Sequence, residues 1–157
     1  MVPLCALPAL GAVAMSKPFS YRFRVRYAEV DPQAVVFNSR YLEYADLVVT
    51  EYFRDRRSHG LPDGLEFHVR RAEIDYLAPI RSDELIEGRL TVERIGNTSM
   101  TLLISLHGAE DTATDASHRA DIRLVQVQVD LATGRPLAIA PQTRAAFGFP
   151  QMEQADG

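Results

Sequence analysis

Residues 31–41 read Asp31-Pro32-Gln33-Ala34-Val35-Val36-Phe37-Asn38-Ser39-Arg40-Tyr41: a carboxylate in a turn, an apolar triplet, then a polar residue opening a helical pattern. Asp-Pro interrupts whatever precedes it, because proline fixes φ and brings no backbone N–H. Beyond Asn38 the spacing changes. Tyr41, Ala45, Val48 and Tyr52 recur at steps of three and four, joined by Leu42, Val49 and Phe53, which predicts a helix from Asn38 to about Arg57 with a wide apolar stripe. Asn38 or Ser39 suits the N-cap, Arg54, Arg56, Arg57 and His59 favour the C-terminal dipole, and Gly60 is placed to end the helix. Such a helix is about 30 Å long and needs a broad cover.

The rest of the chain reads as that cover. Upstream, Phe19, Tyr21, Phe23, Val25 and Tyr27 alternate with Ser20, Arg22, Arg24 and Arg26, a half-buried strand over residues 19–27. Downstream, strands are expected over 65–77, 84–95, 98–108 and 117–131, with a turn at Gly96-Asn97, a polar loop over 110–116 and a turn at Thr133-Gly134. The Pro-rich tail after Ala140 covers an edge or is loose. One strand, one long helix and four more strands with short connections make an α+β fold, an antiparallel β-sheet wrapped around a central helix. The order is not that of a doubly wound nucleotide-binding sheet. A single sheet leaves exposed edges, so a homo-oligomer, dimer or tetramer, is expected.

A chain of 157 residues with 46% hydrophobic and 24% charged residues is an ordinary globule of one domain. That domain is expected over 18–150, with 1–17 a disordered extension and 151–157 a loose tail. The apolar start, residues 1–14, has no preceding Lys or Arg, contains Pro3 and Pro8, and is too short to span a bilayer. The net charge of -4 gives no field favouring nucleic acid or an anionic membrane. A single cysteine excludes an internal disulfide framework and fits a reducing compartment, so a cytoplasmic location is expected. The four histidines show no metal-ligand spacing, and no metal is expected.

The chemistry is concentrated at Asp31. In its plainest role Asp31 belongs to an Asp-Pro turn, accepting local amides. But the helix beginning near Asn38 leaves N–H groups without intrahelical partners and adds partial positive charge there. A carboxylate beside such amides can attack, or activate water against, an acyl carbonyl whose oxygen the amides polarise. Other chemistries lack their parts: no GxSxG elbow, no Walker-type loop and no GxGxxG are present.

The run Asp31-Pro32-x-x-Val35-Val36-x-Asn38-x-x-Tyr41 with its helix resembles hotdog-fold thioesterases of the 4-hydroxybenzoyl-CoA thioesterase type. Glu73-Ile74-Asp75-Tyr76-Leu77-Ala78-Pro79, Gly96-Asn97-Thr98-Ser99 and Thr133-Gly134-Arg135-Pro136 add to it, and the resemblance covers Phe19 to about Phe147. It implies an acyl-CoA thioesterase acting on an aryl-CoA or short acyl-CoA. Asp31 would be general base or nucleophile, the Asn38 amide would polarise the carbonyl, and no cofactor is needed beyond the coenzyme A of the substrate. It also suggests that Asp46 meets a hydroxyl on the acyl group, against the plainer reading of Asp46 as a polar sliver of the helix. Further substrate contacts are expected at Val36, Phe37, Tyr41 and Arg94, the last as one of several candidates for a phosphate of coenzyme A. The chain departs from many relatives in carrying Ala34 for Gly and Asn38 for His. These departures keep a second reading open, a non-catalytic protein of the same fold binding acyl-CoA or an acyl carrier protein.

Of the remaining charges, Glu43 is a reserve carboxylate, and it and Glu51 otherwise suit solvated helix faces. Arg70, Arg71, Arg119 and Arg123 are further candidates for phosphate. Arg22, Arg24 and Arg26 lie opposite the aromatics of their strand, so bases could not stack beside them; a solvated face is expected.

Overall fold

Phe19–Arg24 forms the first strand, β1, in the computed structural model, which describes residues 18–110 and 117–149. Its alternation buries Phe19, Tyr21 and Phe23 partly and leaves Ser20, Arg22 and Arg24 outside. Helix α1 spans Arg40–Arg57, followed by β2 (Phe67–Tyr76), β3 (Leu85–Ile95), β4 (Ser99–Gly108), β5 (His118–Gln128) and a short α2 (Pro141–Ala146). The five strands form one antiparallel sheet in the order β1-β3-β4-β5-β2. This is the expected α+β arrangement.

The core follows from two periodicities meeting. Ile86 and Leu90 of β3, Met100, Leu102, Ile104 and Leu106 of β4, and Ala120, Ile122 and Leu124 of β5 face one side of the sheet and are buried. Tyr41, Tyr44, Ala45, Val48, Val49 and Tyr52 of α1 meet them. At Gly88 the helix comes too near the sheet for any side chain, since a Cβ would fall 2.3 Å from Val48 Cγ2. At the far end of α1, Leu61 N–H bonds Arg56 C=O at 3.1 Å and Gly60 takes φ 93°, a left-handed stop that only glycine adopts without strain.

Several boundaries differ from the periodic reading. The first strand ends at Arg24, not residue 27, and Tyr27, expected inside, is 89% exposed. The cause is a 3-10 turn, Tyr27–Glu29, which rotates Tyr27 out and Glu29 in. Helix α1 begins at Arg40; Ser39 occupies the cap position, but neither it nor Asn38 supplies a side-chain cap bond. The last strand stops at Gln128, leaving Leu131 exposed in a turn closed by Gly134 N–H to Asp130 C=O at 2.7 Å. Part of the tail is ordered: α2 puts Phe147 against Tyr52 and Phe53, with ring centroids 5.9 and 5.5 Å apart. The expected extension over 1–17, most of the 110–116 loop and the 151–157 tail lie outside the described residues.

The outer face of the sheet is polar. Arg22 pairs with Glu87 at 3.3 Å and Arg24 with Glu110 at 3.2 Å, while the next arginine along, Arg26, holds Glu29 at 3.1 Å. These pairs fit the solvated face expected for the three arginines. Near the β4–β5 bulge, the rings of His107 and His118 stack 4.6 Å apart, and His118 Nε2 sits 2.7 Å from Asp121 Oδ1. Burial, then the Arg89 guanidinium and the His118 ring, hold His107 below the usual imidazole pKa, outweighing Asp121 and Glu87. Its stabilising effect is therefore complete above the unfolded value of about 6.5 and is lost as pH falls through the lower folded value. Thermal melts from about pH 8 to about pH 5 should show a loss of Tm that His107→Asn reduces. An identical pH dependence in that variant overturns the assignment.

Candidate active site

The connection from β1 to α1 is a small hairpin. Val30 pairs with Val36, Asp31 N–H bonds Val35 C=O at 2.9 Å, and Ala34 N–H returns to Asp31 C=O at 2.9 Å. Pro32 presets the turn and Ala34 follows it with φ 61°, the arrangement of a β-turn joined to a left-handed residue. Glycine is the residue that accepts this φ freely, so Ala34→Gly should raise stability by about 0.5–1 kcal/mol, read from urea denaturation. A lower midpoint for the variant would show that the turn bears no strain.

The hairpin is fastened on two sides. Val36 N–H bonds Ile80 C=O at 2.8 Å and Val35 pairs with Arg81, which joins the hairpin to the segment before β3. Phe37 N–H bonds Glu29 C=O at 3.0 Å. The Glu29 carboxylate is buried and accepts from Arg26 N–H at 2.7 Å, the Arg26 guanidinium and Tyr44 O–H at 3.2 Å. Desolvation works against its charge, but these three bonds prevail and hold the carboxyl below its usual pKa. Burial, then the Glu29 charge, push the Tyr44 phenol up. Glu29 was not singled out in sequence; only the fold turns it inward.

On this frame, Asp31 Oδ1 accepts Gln33 N–H at 2.8 Å, while Oδ2 takes no hydrogen bond among the described residues. Asp31 is half-buried. The Asn38 and Ser39 amides likewise have no acceptor among the described residues. Their peptide planes are nevertheless tied by the carbonyls: Phe37 C=O accepts Arg40 N–H at 2.9 Å, and Asn38 C=O accepts Tyr76 O–H at 3.0 Å. One connection thus carries a carboxylate oxygen and two amides, all with unused hydrogen-bonding capacity.

The other expected site residues divide. Phe37 is 49% exposed beside Asn38. Val36 and Tyr41, expected as substrate contacts, are 4% and 3% exposed and fill the core in this chain. Asp46 is on the exposed side of α1, eight residues beyond Asn38, or about 12 Å along the axis. Arg94 lies toward the opposite end of β3 from the hairpin; its nine-residue separation from Leu85 is about 30 Å of strand. Arg119 is engaged by Glu84 at 3.0 Å, Arg123 by Glu93 at 2.7 Å and Arg71 by Glu73. Glu43 pairs with Arg40 at 2.9 Å, and Glu51 with Arg54 at 3.3 Å.

Arg81 was missed in sequence. It is exposed, stands opposite Val35, and its guanidinium has no partner among the described residues. A groove of about 610 Å³ on the outer face of the sheet, lined by Glu73, Asp75, Arg89, Asp121 and Arg123 among others, contains none of the hairpin residues. Among the described residues no group of His, Cys, Asp or Glu is arranged to hold a metal.

A five-stranded antiparallel sheet packed on one long helix, with a carboxylate hairpin leading into that helix, defines a hotdog-type α+β protein. The thioesterase superfamily model matches residues 33–114, just over half of the chain, and the chain belongs to that family of thioester hydrolases. Asp31 stands just ahead of the matched residues and Asn38 within them. The acyl-CoA thioester hydrolase YbgC of Escherichia coli O6:H1 is 24% identical over 132 residues, covering 82% of this chain and 95% of the relative. The acyl-CoA thioesterase YbgC of Haemophilus influenzae is 27% identical over 133 residues, covering 82% and 93%. Among solved structures, the PA5185 protein of Pseudomonas aeruginosa superposes with a TM-score of 0.72 at 26% identity over 87% of this chain and 94% of that one. A Thermus thermophilus thioesterase complexed with coenzyme A and Zn gives 0.70 at 25% identity, over 84% and 98%.

Proposed function

We propose that this protein hydrolyses acyl-CoA thioesters, with Asp31 acting on the carbonyl carbon and the Asn38 amide holding the carbonyl oxygen. The observation that carries the reading is that one short connection holds both the uncommitted Asp31 Oδ2 and the donors left unpaired at the entrance to α1. As general base, Asp31 takes a proton from water as its oxygen adds to the thioester carbon; the C–S bond then breaks, and the coenzyme A thiolate leaves and is protonated to the thiol. As nucleophile, it adds directly and displaces the thiolate, and water then opens the mixed anhydride. In either mode negative charge grows on the carbonyl oxygen, where a fixed amide and the helix dipole stabilise it. The reading asks nothing of a metal or an organic cofactor.

The acyl group is placed along the outer side of α1, toward Asp46, with the nucleotide of coenzyme A at the surface. Within one chain this side is open, and Phe37, Leu42 and Tyr76 remain 49%, 41% and 52% exposed around Asn38. The edge strand β2 is ten residues long and mostly exposed, with Val69 54% accessible. Such an edge is a template for pairing, so a homodimer joined through β2 is proposed to wall the site from the other side.

The test is release of free thiol from a panel of acyl-CoAs that includes benzoyl-CoA, 4-hydroxybenzoyl-CoA and short aliphatic chains. The expected result is turnover of at least one member, lowered about a thousandfold in Asp31→Asn. Equal, negligible rates for both proteins with acyl-CoA still bound would instead establish the non-catalytic binder. Ala34 offers that alternative no support, since it adopts the φ that the turn requires.

A further inference from the structure

Resting on the thioesterase reading, we infer that Tyr76 is a positioning residue, its hydroxyl aiming the Ser39 amide as a second donor to the substrate carbonyl oxygen. Tyr76 ends β2, far from Asn38 in sequence, yet its O–H donates to Asn38 C=O at 3.0 Å. The residue is 52% exposed overall, but its ring lies edge-on to the ring of the buried Tyr41, with centroids 4.9 Å apart at 72°. That contact fixes the direction of the hydroxyl.

The consequence follows from the planarity of the peptide. The Asn38 C=O and the Ser39 N–H share one trans unit and point in opposite directions, so holding the carbonyl holds the amide. Tyr41 N–H reaches the same carbonyl at 3.4 Å, a long bond that fixes the plane poorly. A hydrogen bond on the carbonyl also polarises the peptide and strengthens its N–H as a donor. The neighbouring Asn38 amide is already held through Phe37 C=O by Arg40 N–H at 2.9 Å, a bond within the backbone. The Ser39 amide is held by a side chain from another element. The first donor is thus built into the chain turn, whereas the second depends on the packing of β2 against α1.

Tyr76→Phe keeps the ring and removes only the hydroxyl. The expected result is a fall in kcat of about tenfold, less than the loss of a whole donor, with KM within about twofold. Thermal stability should stay near that of the wild type, because the Tyr41 contact remains. In 15N-labelled protein, amide exchange at Ser39 should change in the variant while that at Val36 and Phe37 does not. An unchanged Ser39 exchange, or an unchanged kcat, overturns the inference; so does a parallel loss of kcat, KM and stability, which marks a purely structural role. Failure of the underlying reading looks different: the wild type itself then hydrolyses no thioester, while the exchange measurement still reports on Tyr76.

Discussion

Asp31→Asn should lower kcat for acyl-CoA hydrolysis about a thousandfold while leaving the fold intact, the scale expected for loss of a positioned base or nucleophile. The substitution is nearly isosteric. The side-chain amide oxygen it introduces can still accept Gln33 N–H, the contact that Asp31 Oδ1 makes at 2.8 Å, so the turn survives. The missing quantity is the negative oxygen, Oδ2, which has no structural partner among the described residues to lose. Stability should therefore move by less than about 0.5 kcal/mol, as for a surface change. KM should change little, since the surfaces proposed to hold the acyl group and coenzyme A do not include Oδ2. Retention of more than a tenth of wild-type kcat by a properly folded variant would remove Asp31 from the chemistry and shift attention to Glu43.

Gly88→Ala is expected to cost about 3 kcal/mol, toward the upper end of overpacking penalties. The added Cβ would stand 2.3 Å from Val48 Cγ2, and Val48 is fully buried. Its branched side chain has one strongly preferred rotamer in a helix, so it cannot swing aside and α1 must lift from β3 instead. For a domain of this size the loss corresponds to a Tm lower by roughly 6–12 °C. Val48→Ala removes the colliding methyl group, so the double variant should be more stable than Gly88→Ala alone, a coupling a double-mutant cycle measures. A double variant no more stable than the single would place the strain elsewhere.

Both results bear on what could be read before the fold was known. The helix from about Asn38 to Arg57 was legible because an amphipathic stripe repeats every turn, and Gly60 marked its end by its freedom at positive φ. The strands were legible by alternation, each to within a few residues. The miss at Tyr27 has a physical cause: period two continued through Tyr27, but the backbone turned after Val25 to seat Glu29 under Tyr44. Sequence spacing carries no record of that hydrogen bond.

The candidate site was legible only as far as it is local. Asp31 and Asn38 are seven residues apart, so a short turn and a helix start suffice to associate them, and the motif named them. Tyr76 and Arg81 come from distant segments, brought in by the pairing of β2 with β5 and by the bridge from Val35 to Arg81. The stretch around Tyr76 adds to the family resemblance, but nothing in either neighbourhood ties these residues to Asp31 or Asn38. Hydrophobic periodicity and turn chemistry, properties of adjacent residues, were enough for the α+β class, the order of the strands and the long helix, and the acidic turn at Asp31, but not for α2 or the pairing that makes that turn a hairpin. The burial of Val36 and Tyr41, the inward Glu29 and the hydroxyl on Asn38 C=O required the folded chain, because each depends on which strand lies beside which.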